Sequence, residues 1–206
     1  MSTNADTRPH AMVPTFIRSA DEFRAAVQLG NTPESLVLEF KATIDRTRGQ
    51  GMQQETCRDI AQFANTWGGG LLVGVTDCFD QTRGLRIADG IQPVDDIDNL
   101  RQWIEQAITN YLVPRTFTRD LMPIALQEGE ILAINVPASR HLVSLWNVQT
   151  GTVQYLRRTS HGKAYMNPDE AERHLMDGSR AANSREGSGD GLRAIMVRMS
   201  YGSRLL

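Results

Sequence analysis

The chain has 206 residues, with 22 basic and 24 acidic side chains and a formal net charge of -2. That is one domain of ordinary size, or one domain with tails, and it carries no global basic balance of the kind that announces a nucleic-acid binder; a local basic patch stays open. The only cysteines, Cys57 and Cys78, lack metal-type spacing, so neither a disulfide framework nor a zinc site is favoured. No apolar run approaches a membrane span and no signal-peptide core follows the start, which makes a reducing, cytoplasmic setting without membrane attachment the expectation.

Residues 1–14 are polar, punctuated by Pro9 and Pro14, and read as a flexible leader. Ser19-Ala-Asp-Glu22 starts a helix, with Ser19 as cap and acids in the first turn, and Gly30-Asn31-Thr32-Pro33 closes it. The stretch Glu34-Ser-Leu-Val-Leu-Glu39-Phe-Lys41 reads as a strand. Alternation places Leu36, Leu38 and Phe40 on one face and Val37, Glu39 and Lys41 on the other. Glu34, five residues before Glu39, has the wrong parity for one flat strand. The two acids meet only if the chain bends before Leu36, where Thr32-Pro33 allows it.

Residues 46–52 read as a loop, with Arg46 and Arg48 available for phosphate. A helix is expected over 53–66, with Cys57, Ile60, Ala61, Phe63 and Ala64 as its apolar stripe, stopped by Trp67-Gly68-Gly69-Gly70. Leu71 to Val75 is a short apolar strand with Asp77 just past its end, followed by a turn at 80–84 and a weak strand over 85–87. Residues 95–111 carry a second long helical pattern. Two hairpins follow: 116–127 with 130–136, turned at Glu128-Gly129, and 142–146 with 153–157, turned at Thr150-Gly151. Asn167-Pro168-Asp169-Glu170 opens a last helix. From 179 to 206 the composition shifts to a Gly- and Ser-rich tail. The domain therefore spans 15–178. Its irregular mixture of helices and hairpins is α+β rather than doubly wound.

Three groups of residues carry candidate chemistry. Glu34, Glu39 and Asp77 are carboxylates of the kind that hold Mg²⁺ or Mn²⁺ for phosphodiester hydrolysis, with Lys41 placed to contact phosphate or polarise water. On pattern alone, a Glu39–Lys41 ion pair with Asp77 as a turn residue is the favoured alternative. The glycine run 68–70 follows a helix and precedes a strand, the reverse of a phosphate loop, and reads as a helix stop with tight packing. Arg157, Arg158, His161 and Lys163 form a basic group which, with Lys41, Arg46 and Arg48, would give a local surface for phosphates; an ordinary solvated face is equally compatible. His10, His141, His161 and His174 are scattered, with no nucleophile motif.

The series Glu34-Ser-Leu-Val-Leu-Glu39-Phe-Lys41, Ile60-Ala-Gln-Phe-Ala-Asn-Thr66, Gly68-Gly-Gly-Leu-Leu-Val-Gly-Val75 and Asp77 resembles the Schlafen-type AlbA-like domain. Tyr155-Leu-Arg157 through Glu172 is similar to that family's closing strand, arginine and helix. The resemblance runs from about 31 to 177, and implies a single AlbA-like lobe with a mixed or antiparallel sheet and packed helices. It further implies nucleic-acid dealings. Some members cleave transfer RNA or other structured RNA with two glutamates and an aspartate, which match Glu34, Glu39 and Asp77 in type and order. The resemblance thus implies a divalent-metal-dependent endoribonuclease, with Arg46, Arg48, Arg157, Arg158 and Lys163 on nucleic acid and a homodimer supplying the two-lobed cleft. The alternative is a non-catalytic DNA- or RNA-binding regulator. Two further readings rank lower: a DNA nuclease using Asp21 before Glu39-Phe-Lys41, and a nucleotide hydrolase without a phosphate loop.

Overall fold

The computed structural model describes residues 16–159, 162–167 and 169–173. The expected leader, the tail, and His10, His161 and His174 lie outside the described residues. The chain is α+β. Helix α1 (Ala20–Ala26) opens as expected: the Ser19 hydroxyl accepts the Glu22 N–H at 3.2 Å. Strand β1 (Leu38–Lys41), β2 (Gly68–Val73), β7 (Gly129–Pro137) and β6 (Asp120–Leu126) form one mixed sheet in the order β1-β2-β7-β6, with β1 and β2 parallel. Strands β10 (Gly162–Tyr165), β9 (Thr152–Thr159), β8 (Ser144–Asn147) and β5 (Leu112–Val113) form a second, antiparallel sheet. Between them in sequence, β3 (Val75–Asp80) and β4 (Leu85–Ile91) pair as a ribbon.

Helices α2 (Gln50–Ala64) and α3 (Ile97–Tyr111) build the larger core. α2 packs against β2 and β7 of the first sheet and β8 and β9 of the second. Its stripe of Cys57, Ile60, Ala61, Phe63 and Ala64 is fully buried with Leu71, Val73, Leu132 and Ile134. The opposite face of the first sheet buries Leu38, Phe40, Leu72 and Ala133 against Phe23 and Val27 of α1. Covered on both faces, β2 reads as an unbroken apolar run rather than an alternating one. Residues 169–173 are helical, and Asn167 caps them reciprocally: its side chain accepts the Glu170 N–H at 2.8 Å and its own N–H reaches the Glu170 carboxylate at 3.0 Å. No helix of the described residues is long and apolar enough to cross a membrane.

Four differences from the sequence expectation bear on the site. α2 starts three residues early, at Gln50, with a 3-10 turn over Arg46–Arg48 before it. β2 starts on the glycines rather than after them. Gly68 has φ +78° and a Cβ there would lie 2.8 Å from both Ala138 N and Val136 O; at Gly69 a Cβ would lie 2.5 Å from the Phe63 ring. The backbone comes too close to its neighbours for any side chain, so composition looks like a turn while the hydrogen bonds make a strand. Asp77 sits inside β3, at its register shift, not past the end of β2. The bend in the opening segment falls at Leu36–Val37, later than Thr32-Pro33, and takes Leu36 off the strand.

Candidate functional site

The late bend brings Glu34 back beside β1. Ser35 and Leu38 form a bridge across the turn, and Pro33 bridges to Ile87 of β4. Glu34 then accepts the Phe40 N–H on Oε1 at 3.0 Å. Burial pushes its carboxyl above the ordinary range; the Phe40 N–H opposes that, while Glu39 and Asp77 add to it by like-charge repulsion. Glu34 therefore lies within the field of both other expected acids, although the three come from a turn, β1 and the β3–β4 ribbon.

Each of the other two acids has a cation of its own. Glu39 is buried on the α2 side of β1 and pairs with the Arg158 guanidinium, while Lys41 Nζ lies 3.7 Å from it. Asp77 pairs with Arg86 across the ribbon. Helix α2 contributes two further acids one turn apart. Asp59, with no exposed surface, meets Lys41 at 3.1 Å and pairs with Lys163 of β10; Glu55 lies 3.8 Å from Lys41 and 3.9 Å from Arg48. Burial works against the charge on Lys41, but Asp59, Glu39 and Glu55 outweigh it and raise its pKa, so Lys41 stays an ammonium.

Arg158 is the joint of this network. Its side chain is 9% exposed, its Nε donates to Ser35 O at 2.9 Å, and its guanidinium stacks 4.7 Å from the Phe63 ring centroid. Its neighbour Arg157 points the other way and pairs at 3.1 Å with Glu170, both partly exposed. Arg48 is exposed and Arg46 half-buried in the 3-10 turn before α2. Arg46, Arg48, Arg157 and Lys163 thus reach solvent, while Arg158 is committed to the interior. Asp21 stands on the exposed side of α1, paired with Arg24 at 2.8 Å, away from Glu39. Cys57 is buried, and burial with nearby Asp59 pushes its thiol far up, which leaves it inert as a nucleophile.

Hard divalent cations take several oxygens at about 2.0–2.6 Å. Among the described residues, no group of three or more His, Cys, Asp or Glu side chains is placed to share an ion. With Glu39 and Asp77 each held by a guanidinium and Glu34 taken up by the Phe40 N–H, these residues as placed do not fit a ready cage for Mg²⁺ or Mn²⁺.

The motif Ala64-Asn65-Thr66 has a structural explanation. The buried Asn65 side chain donates to Val143 O at 2.7 Å and Leu156 O at 2.9 Å, and accepts the Val143 N–H at 2.7 Å. The Thr66 hydroxyl accepts the Arg158 N–H at 3.0 Å and donates to Gln62 O at 2.6 Å. Together they stitch the end of α2 to β8 and β9, where Arg158 emerges.

Two features escaped the sequence reading. Asp59 interrupts the apolar stripe of α2 one turn after Glu55, a signal that a charge is wanted in the core. The second is a charge asymmetry: from Ile131 to Pro168 there is no Asp or Glu, while Arg140, Arg157, Arg158 and Lys163 are present. The strands β5, β8, β9 and β10 contain no acid at all.

Among curated proteins, none matches the chain. Similar solved structures include the following two. The DIP2311 protein from Corynebacterium diphtheriae is 16% identical over 82% of this chain and 32% of its own, with a TM-score of 0.45, so this chain spans about a third of that protein's length. The N-terminal domain of an ATP-dependent DNA helicase RecG-related protein from Nitrosomonas europaea is 18% identical over 59% of this chain and 74% of its own, with a TM-score of 0.40. The Schlafen, AlbA_2 family model matches residues 34–167, which carry the opening acids, the Asn65 seam and the closing basic strands, and the chain belongs to that family.

Proposed function

We propose that this chain is a nucleic-acid-binding domain whose contact surface is built on the second sheet. The observation that carries the reading is the charge segregation. A chain of net charge -2 gathers Arg140, Arg157, Arg158 and Lys163 into a stretch of 38 residues, 131–168, without one acid. Arg158 is turned inward onto Glu39 and Lys163 is paired with Asp59, so the cations offered to a ligand are Arg140 and Arg157, beside strands that carry no acid. A polyphosphate backbone is attracted to such a surface and gains from the counterions it releases. The test is fluorescence anisotropy with labelled RNA and DNA oligonucleotides across a salt series. The expected result is affinity that falls linearly in log–log form as salt rises and that survives Glu39→Gln. Absence of binding to either nucleic acid at about 50 mM salt, where phosphate contacts are strong, overturns it.

A second reading is favoured by Glu34, whose carboxyl feels the charge of both Glu39 and Asp77. It is a divalent-metal-dependent endoribonuclease acting on structured RNA such as tRNA, with Mg²⁺ or Mn²⁺ held by those three residues and Lys41 on phosphate. Because Arg158 and Arg86 neutralise two of the three acids, this reading needs those ion pairs to open before an ion is taken. A two-lobed cleft would need a homodimer, which sedimentation would detect. Incubation of wild type and Glu39→Ala with tRNA and either ion tests the chemistry; no cleavage by wild type, or equal cleavage by both, removes it.

A further inference from the structure

Strand alternation sorts the second sheet into two faces of different chemistry. The face toward α2 carries Leu145, Leu156, Arg158 and Lys163, which are buried or drawn into the acid network. On the other face the register places Trp146 beside Val153, and Val113, Ser144 and Tyr155 in the next row, with Arg157 in the row after. Trp146 is 41% exposed, Val153 49% and Val113 53%, and Tyr155 is half-buried. Tyr155 lies diagonally across from Trp146, two residues beyond its partner Val153; at roughly 7–8 Å between such positions, two aromatic rings can share one surface. No strand of this sheet supplies an acid to repel phosphate, and Arg157 is tied only by a partly exposed pair with Glu170.

We propose that this outer sheet face is a stacking platform for unpaired bases of single-stranded nucleic acid, with Trp146 and Tyr155 taking the bases and Arg157 the backbone. The inference rests on the nucleic-acid-binding reading and names its site and its ligand class. The physical reason is that every base offers a π-face to an aromatic ring, while a paired base inside a duplex does not expose it. A wholly apolar face would suit another protein. Here an exposed indole, a phenol and a guanidinium stand on one sheet face whose strands carry no acid, with Glu170 as the partner a phosphate would displace from Arg157, the composition that stacking and phosphate contact together require.

The platform is tested with a mixed-sequence single-stranded 12-mer and the corresponding duplex, read by anisotropy and by quenching of tryptophan fluorescence. Trp146→Leu and Tyr155→Leu keep apolar bulk without the stacking ring, and thermal melting checks that each folds; Trp146→Phe restores a ring. The expected result is single strand bound more tightly than duplex, each leucine variant weaker by roughly tenfold, and Trp146→Phe close to wild type. If wild type binds nucleic acid but both leucine variants bind as wild type does, or duplex binds as tightly as single strand, the platform is wrong and the broader binding reading stands. If Trp146→Leu instead dissociates a dimer without changing oligonucleotide affinity, the face is an interface between copies and the platform is equally overturned. If wild type binds no nucleic acid, the broader reading fails and takes the platform with it.

Discussion

Arg157 and Arg158 are adjacent on β9, yet they belong to different electrostatic worlds. Arg158 faces the first sheet, where Glu39 waits in the core and Lys41, Asp59 and the partly exposed Lys163 complete a network that runs from the core to the surface. Arg157 faces outward beside a surface of Tyr155, Val153 and Trp146, held only by Glu170 at 3.1 Å. The difference is one step of strand parity. A charge inside the fold is retained because removing it strands its partner without water, whereas an exposed pair contributes about 0–1 kcal/mol and exchanges freely for a phosphate. The positive residues of the second sheet are thus not one surface: the inward ones neutralise the acids of β1 and α2, and the outward ones remain for a ligand.

The sharpest way to break this comparison is Arg158→Met. It leaves buried Glu39 with only Lys41 at 3.7 Å, itself shared with Asp59 and Glu55, and we expect a loss of about 3–5 kcal/mol in urea unfolding, of which most returns when Glu39→Gln is added. A loss no greater than that of a surface substitution would mean that Arg158 is not the internal counter-ion. Next in size is Asn65→Ala, which removes three hydrogen bonds across the α2–β8–β9 seam and leaves backbone groups of Val143 and Leu156 without partners. About 3 kcal/mol is expected from the same measurement. Arg157→Gln should leave stability within about 0.5 kcal/mol of wild type while weakening binding, with the salt slope reduced by about one ion.

The smallest effect is a pH dependence at Glu34. Its folded pKa is raised above that of an ordinary carboxyl, chiefly by burial, so the native state holds this proton more tightly than the unfolded chain does. Its contribution therefore favours folding below the unfolded pKa and is lost as pH rises through the folded one. Glu34→Gln keeps the acceptor for the Phe40 N–H and removes the ionisation. Melting of the variant should fall less than wild type between about pH 4 and 7. A variant that loses stability at neutral pH would show that the Glu34 charge is welcome there.

Much of the fold was legible because its signals are local. Ser19 capped α1, the stripe of α2 was buried as the spacing required, Thr150-Gly151 lay in the turn of its hairpin, and the other hairpin turned at Gln127-Glu128, one residue before the expected Glu128-Gly129. The misread boundaries share a cause: tertiary contact overrode local propensity. Gly68 and Gly69 looked like punctuation because a strand pressed against Phe63 and Val136 cannot carry side chains there. The two-residue β5 and the late β10 gave too short a pattern to stand out, although β10 delivers Lys163 to Asp59. At the site, the acids of the opening stretch were visible as residues but not as partners. Sequence spacing carries no information about Arg86 or Arg158, which arrive from distant strands. The parity argument for Glu34 did find that a bend was needed, and missed only where it falls.

The most direct measurement is the salt dependence of single-stranded oligonucleotide binding, from about 50 to 200 mM, for wild type, Arg157→Gln and Glu39→Gln. If the acid-free sheet is the contact surface, wild type loses affinity steeply with salt, Arg157→Gln starts weaker with a shallower slope, and Glu39→Gln follows wild type. Binding unchanged by Arg157→Gln but abolished by Glu39→Gln in a folded protein would contradict that assignment and move the contact to the acid network of β1.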